Sequence, residues 1–149
     1  MAEEINEHTA DKKIKLIIFD LDYTLYNPEA KVIYDGVHDI LKFCKEKDIA
    51  MAIASCNGYA KEIIKDLNLH HYFFAIETHT KYPWCKNQML LDIMQDYKNK
   101  FGDLSFRNVL FYDDLMEHTI KASALSINTH RVDCRTGIQA SEVHKYICE

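Results

Sequence analysis

Glycine and proline are scarce: four and two residues among 149. A loop-dominated or low-complexity chain needs many more, so dense helix and strand content is expected. Long apolar runs are missing as well. None approaches the roughly 20 residues of a bilayer-spanning helix, and no membrane partner is expected. The cysteines are Cys44, Cys56, Cys85, Cys134 and Cys148. They are odd in number and form no Cys-x-x-Cys pair, which argues against a disulfide framework or a structural zinc site and for reduced thiols in the cytoplasm. No block of Lys or Arg stands out, and the net charge is −5. A nucleic-acid backbone is therefore not expected as the main partner. The adjacent His70 and His71 lack the i, i+4 spacing of a helical zinc site and read as surface or loop histidines.

The length suits one domain with a real core but not two. Residues 1–12 are polar and acidic, unlike a signal peptide, and are expected to form a flexible leader before a single domain over 13–149. A monomer is the simplest expectation. Strand and helix signals then alternate. Strands are predicted over Ile14–Phe19, Ile49–Ala54, Phe73–Glu77, Asn108–Tyr112 and Leu125–Thr129. Helices are predicted over Gly36–Lys47, Tyr59–Leu67, Trp84–Lys98 (apolar face Leu90, Leu91, Met94, Tyr97), Glu117–Ala124 and Ile138–Ile147. Such alternation implies an α/β fold: a central parallel sheet of about five strands with helices on both faces.

In sheets of this kind ligands bind beyond the carboxyl ends of the strands, where the strand order reverses. Three apolar strands here end in polar chemistry: Asp20 and Asp22, then Ser55-Cys56-Asn57-Gly58, then Asp113-Asp114. If the first strand is central, flanked by the second and fourth, the three clusters meet. Asp20 and Asp22 share a face if the strand continues, and two like charges ending a buried strand are costly unless a cation or substrate uses them. Asp20 is a candidate nucleophile toward phosphorus, and Asp22 a candidate general acid and base. Ser55, with the backbone N–H groups of Cys56 and Asn57, can hold phosphoryl oxygens near a helix N-terminus. Hard carboxylate oxygens at Asp113 and Asp114 suit Mg2+.

Each cluster taken alone has a plainer explanation. The first is also an Asp-rich turn in which the Thr24 hydroxyl ties the chain, the second a capping serine in a turn, and the third a helix cap. A cation is needed to balance phosphoryl charge, and local sequence leaves Lys81 and Lys86 both open.

Together these residues resemble the haloacid dehalogenase (HAD) superfamily, mostly Mg2+-dependent phosphotransferases. Its four motifs occur in order as Asp20-Leu21-Asp22-Tyr23-Thr24, Ser55, Lys86 and Asp113-Asp114, over roughly residues 14–147. Within the superfamily the chain looks most like the magnesium-dependent phosphatase-1 group, through Phe19-Asp20-Leu21-Asp22-Tyr23-Thr24-Leu25, Tyr82-Pro83-x-x-Lys86 and Phe111-Tyr112-Asp113-Asp114. The resemblance implies a Rossmann-like HAD fold and selects Lys86 as the phosphoryl-binding lysine. It implies Mg2+ held by the Asp20 carboxylate, the Asp22 main-chain carbonyl and the Asp114 carboxylate, with Asp113 in the outer shell. It implies hydrolysis of a phosphorylated small molecule or phosphoprotein, with Asp22 favouring phosphomonoesters over carbon–halogen bonds.

Two departures bear on selectivity. Only Asn27–Asp35 separates the first strand's turn from the first helix. That leaves room for a small hairpin built on Tyr26, Val32 and Tyr34 but not for a cap domain, so a minimal (C0-type) cap and an open site are expected. Cys56 stands where relatives carry a basic residue. A binding domain that kept this fold with weak turnover, and a phosphatase acting on nucleic-acid ends, are the rival readings.

Overall fold

The computed structural model describes residues 13–79 and 86–147. Its centre is strand β1 (Leu16–Phe19), every residue of which is buried. Around it, β4 (Ala50–Ser55), β5 (Ala75–Thr78), β6 (Val109–Asp113) and β7 (Asn128–Arg131) complete a five-stranded sheet in the order β5-β4-β1-β6-β7. All pairs are parallel. A short antiparallel hairpin, β2 (Tyr26–Asn27) and β3 (Val32–Ile33), follows β1.

Two apolar layers explain why β1 reads as an unbroken hydrophobic run rather than an alternating one. Ile17 and Phe19 pack with Ile40 and Leu41 of helix α1 (Val37–Glu46), Ile64 of α2 (Ala60–Asp66) and Val143 of α5 (Ala140–Ile147). Leu16 and Ile18 pack on the other face with Leu90 and Ile93 of α3 (Lys86–Lys100) and Ala122 of α4 (Met116–Ser123).

The chain runs outward from β1 through β4 to β5, then returns across β1 to β6 and β7. The strand order therefore reverses at β1. Register decides what meets there. Phe19 is level with Ile53 on one side and Tyr112 on the other, and the Asp20 N–H donates to the Tyr112 carbonyl at 2.9 Å. Asp20, Ala54 and Asp113 consequently lie side by side at the carboxyl end of the sheet.

Three expectations need correction. The last strand begins at Asn128, not Leu125: Ala124–Ser126 form a turn, Ser126 has φ +69°, and Leu125 instead packs against the α3/α4 layer. A polar edge strand (Asn128, Thr129, His130, Arg131) has no apolar run to announce it. The third strand is displaced by two residues at its start, because Phe73 and Phe74 lead into β5 rather than belong to it. Leu91 is largely outside the core, while Met89, Leu90, Ile93 and Met94 are buried, since the inward stripe of α3 is centred away from Leu91. The expected leader and the Tyr82-Pro83 dipeptide, like Lys81, Trp84, Cys85 and Cys148, lie outside the described residues.

The hairpin β2–β3 is the whole insertion between β1 and α1 apart from its connecting turns. Among the described residues, no cap domain stands over the carboxyl end of the sheet. Among the described residues, no helix is long and apolar enough to cross a membrane.

Candidate active site

Beyond Asp20 the chain winds once around the Leu21 carbonyl. That oxygen accepts from the N–H groups of Thr24 (3.2 Å), Leu25 (3.0 Å) and Tyr26 (3.0 Å). Leu21 and Leu25 are buried and anchor the loop, and Tyr23 takes a left-handed conformation at φ +65° to close it. A non-glycine residue there costs on the order of 1 kcal/mol. The Tyr23 N–H, donating to the Tyr26 carbonyl at 2.7 Å, helps hold it. The buried Thr24 hydroxyl turns back toward Asp20 Oδ2 at 3.5 Å. The remote Ile138 N–H donates to the Thr24 carbonyl at 2.9 Å, clamping the loop from outside.

Lys86, the first residue of α3, reaches this loop from beneath. Its ammonium donates to the Ala54 carbonyl (2.7 Å) and Asp20 Oδ1 (3.0 Å), and lies 3.2 Å from Asp113 Oδ2. Three donors thus have three acceptors, and the side chain is buried. Burial works against the ammonium, but the Asp20 and Asp113 carboxylates outweigh it and raise its pKa.

The carboxylates have four distinct environments. Asp20 is buried, which pushes its pKa well above the usual range; Lys86 opposes the shift and neighbouring Asp113 adds to it. Asp113 is fully buried beside it, yet burial there is overcome. Its Oδ2 accepts from His118 Nδ1 at 2.9 Å as well as from Lys86, and its Oδ1 accepts from the Leu115 N–H at 2.9 Å. Those partners lower its pKa and hold it ionised. Asp22 is half-buried and raised by burial, with the Asn57 amide partly offsetting. Asp114 is also half-buried and raised first by burial.

Ser55 ends β4 and is buried. Its hydroxyl accepts from the Asn57 N–H at 3.0 Å. The Asn57 side-chain carbonyl accepts from the Tyr59 N–H at 2.8 Å, which leaves its NH2 directed at Asp22, 3.4 and 3.3 Å from the two oxygens. Cys56 is half-buried between them, and burial raises its thiol pKa, so it is protonated at neutral pH.

Asp20, Asp22, Ser55, Cys56, Asn57, Lys86 and Asp114 line one open cleft of about 730 Å³, with Asp113 recessed behind them. The strand ends that the sequence singled out, Asp20 and Asp22, Ser55 to Asn57, and Asp113-Asp114, are therefore brought to one place together with Lys86. Sequence reasoning missed His118, Tyr23 and Lys121, which also border the cleft. His118 had a readable signal: it lies five residues after Asp113, in the first turn of α4, within reach of a strand-end carboxylate.

The donor set suits a hard divalent cation. One carboxylate oxygen each from Asp20, Asp113 and Asp114 lie within 4.8 Å of one another. Hard oxygens from several carboxylates facing one lysine leave excess negative charge at the rim. Because the oxygens of Asp113 already accept from Lys86, His118 and Leu115, the acids left to face a cation are Asp20 and Asp114.

No protein-family model and no curated protein matches this sequence. Solved structures do. A HAD-superfamily hydrolase from Ehrlichia chaffeensis superposes with a TM-score of 0.71 at 16% identity, over 93% of this chain and 98% of that one. A haloacid dehalogenase-like family hydrolase from Streptococcus pneumoniae gives 0.70 at 13% identity, over 91% and 92%. A candidate phosphatase from Clostridium difficile gives 0.73 at 15%, over 87% and 89%. This is the HAD fold. At such identities the likeness concerns the fold alone, and the HAD fold here carries its polar strand ends at the switch point on residues of its own.

Proposed function

We propose that this chain is a Mg2+-dependent phosphomonoester hydrolase that works through an aspartyl-phosphate on Asp20. One observation carries the reading: two carboxylates two residues apart have different partners across one cleft. Asp20 shares an ammonium with Asp113, whereas among the described residues the Asp22 carboxylate is hydrogen-bonded by the Asn57 amide alone. The contacting ammonium favours a carboxylate at Asp20 for attack on phosphorus, and Asp22, whose contact is a neutral amide, suits proton transfer.

In the first step an Asp20 oxygen bonds to phosphorus and the ester P–O bond breaks. Asp22, whose burial favours the protonated form, gives its proton to the leaving alkoxide. In the second step the Asp22 carboxylate takes a proton from water, the water oxygen bonds to phosphorus, and the P–O bond to Asp20 breaks. Inorganic phosphate leaves, and both acids are restored. Ser55, Lys86 and the Cys56 N–H serve the charged phosphoryl oxygens, while the Asn57 N–H expected to join them is donated to the Ser55 hydroxyl and orients it. Mg2+, held by Asp20, Asp114 and the Asp22 main-chain carbonyl, would supply the positive charge that lets a dianionic phosphate approach ionised Asp20.

The open cleft, with no domain above it, favours either a phosphorylated small molecule or an exposed phosphate on a larger one. The motif likeness to the magnesium-dependent phosphatase-1 group supports the same chemistry, and residues 13–149 are read as one phosphatase domain in the cytoplasm.

Turnover of an aryl phosphate with and without Mg2+ tests the proposal. Asp20→Asn should abolish it, and Asp22→Asn should lower it by about 10²–10⁴-fold. Phosphate release by Asp20→Asn at the parental rate would overturn the covalent route.

A further inference from the structure

A second cavity, of about 460 Å³, opens at the other end of the sheet. It lies beside Ile49, Ala50 and Met51, where β4 begins, whereas Ser55 ends that strand at the catalytic cleft. The two are separated by the length of a six-residue strand, about 17 Å. Nothing in the phosphatase chemistry uses this end.

Its walls combine flat rings with ammonium groups. Phe74 meets Phe101 edge to face at 5.3 Å, and Tyr97 meets Phe101 at 5.0 Å, so the three rings form one corner. Phe101 remains 52% exposed although it follows directly on α3, which leaves much of its ring in contact with water. Tyr72 also lines the cavity, with the Lys45 ammonium 5.6 Å from its ring centre. The Lys100 ammonium lies 5.6 Å from the Phe101 ring centre. His70 and His71 add ring nitrogens on the Tyr72 side, and among the described residues Asp48 is the single carboxylate in the lining.

Exposed rings next to ammonium groups are what a planar anion needs: a face to stack on, and a charge within reach of its acidic group. A free phosphate or sulfate would use the lysines but leave the rings wet. A neutral ring would stack but leave the lysines idle. The chain as a whole is acidic, so a lining with two lysines and one carboxylate is a local reversal of sign.

We propose that this cavity is an accessory site for a mononucleotide, with its base stacked on Phe101 and its phosphate between Lys45 and Lys100. It is independent of the phosphatase reading, since no residue is common to both cavities.

The test is titration of the 15N-labelled full chain with 5′-AMP, followed by NMR, in the Asp20→Asn background so that no ligand is consumed. Saturable shifts are expected at Tyr72, Phe74 and Phe101. Adenosine and inorganic phosphate, tested separately, should each bind at least tenfold more weakly. Phe101→Ala and Lys100→Ala should each weaken AMP binding about tenfold, and both positions are exposed enough for the variants to fold. Asp48→Asn should tighten it by a few fold; asparagine tolerates the φ of +61° found there. Shifts confined to the catalytic cleft, adenosine binding as well as AMP, or an unchanged affinity in Phe101→Ala would overturn the site. None of these outcomes touches phosphatase turnover, so the two proposals fail separately.

Discussion

Tyr34 occupies the space that a side chain at position 137 would need. Its ring lies against Gly137, whose φ is +69°, and its hydroxyl donates to the Cys134 carbonyl at 3.0 Å. Next to Gly137, Ile138 donates to Thr24 in the turn that carries Asp20. The hairpin, the loop after β7 and the Asp20 turn are thus tied together through one glycine.

Gly137→Ala should therefore cost about 2 kcal/mol, from overpacking against Tyr34 and a left-handed backbone. Urea denaturation measures the loss. Aryl-phosphate turnover should fall with it, because the clamp on Thr24 loosens. A variant as stable as the parent would mean that the hairpin moves aside freely.

Lys86→Met should be far more damaging than its size change implies. It leaves Asp20 and Asp113 facing each other with no cation between them, and breaking a buried pair in this way costs about 3–5 kcal/mol. Without the ammonium both carboxylates are pushed upward in the folded state. A carboxylate raised on folding destabilises increasingly as pH rises through its folded pKa. The deficit against the parent should thus be small near pH 4 and large at pH 7, as read by thermal unfolding across that range.

Asp20 and Asp113 should respond in opposite directions when neutralised in metal-free protein. Burial raises Asp20, so its ionisation opposes folding above that pKa, and Asp20→Asn should gain on the order of 1 kcal/mol at pH 7 while losing activity. Despite its burial Asp113 is lowered, by His118, Lys86 and Leu115. Its stabilisation is present above the unfolded carboxylate pKa and is lost as pH falls through the folded value. Asp113→Asn should lose roughly 2 kcal/mol at pH 7. Denaturant midpoints at pH 7 and pH 4 check both signs.

Mg2+ should raise the melting temperature of the parent, by an amount equivalent to about 2.7 kcal/mol at a hundredfold excess over Kd. Asp114→Asn should remove most of that gain, because Asp114 faces the cleft while Asp113 is tied to its protein partners. Affinity should fall on acidification, since burial raises both Asp20 and Asp114 and their protons must leave first. Calorimetric titration at two pH values measures it. An Asp114→Asn protein with parental Mg2+ affinity would point to another ligand set.

Much of the site was legible because polar residues interrupt apolar strands. Asp20, Ser55 and Asp113 each end a run that is otherwise hydrophobic, and the carboxyl ends of parallel strands converge. His118 was legible only in its spacing, five residues after a strand-end carboxylate; which carboxylate oxygen it turns toward depends on how α4 sits against β6. Local sequence does not separate Lys86 from Lys81; only the motif resemblance does. The edge strand β7 is polar and carries no apolar run to mark its start, and an apolar side chain such as Leu91 beside a helix stripe does not reveal the stripe's centre.

The sequence by itself determined the alternation of strands and helices, the fully buried central strand and the polar residues at strand ends, since these depend on local periodicity and on the cost of burying charge. Only the tertiary structure decided that Lys86 bridges Asp20 and Asp113, that His118 rather than water satisfies Asp113, and that Asn57 is directed at Asp22. Those pairings follow from the register of β1 between β4 and β6. That register is set by long-range packing, in which residues far apart in the chain compete for the same few hydrogen bonds.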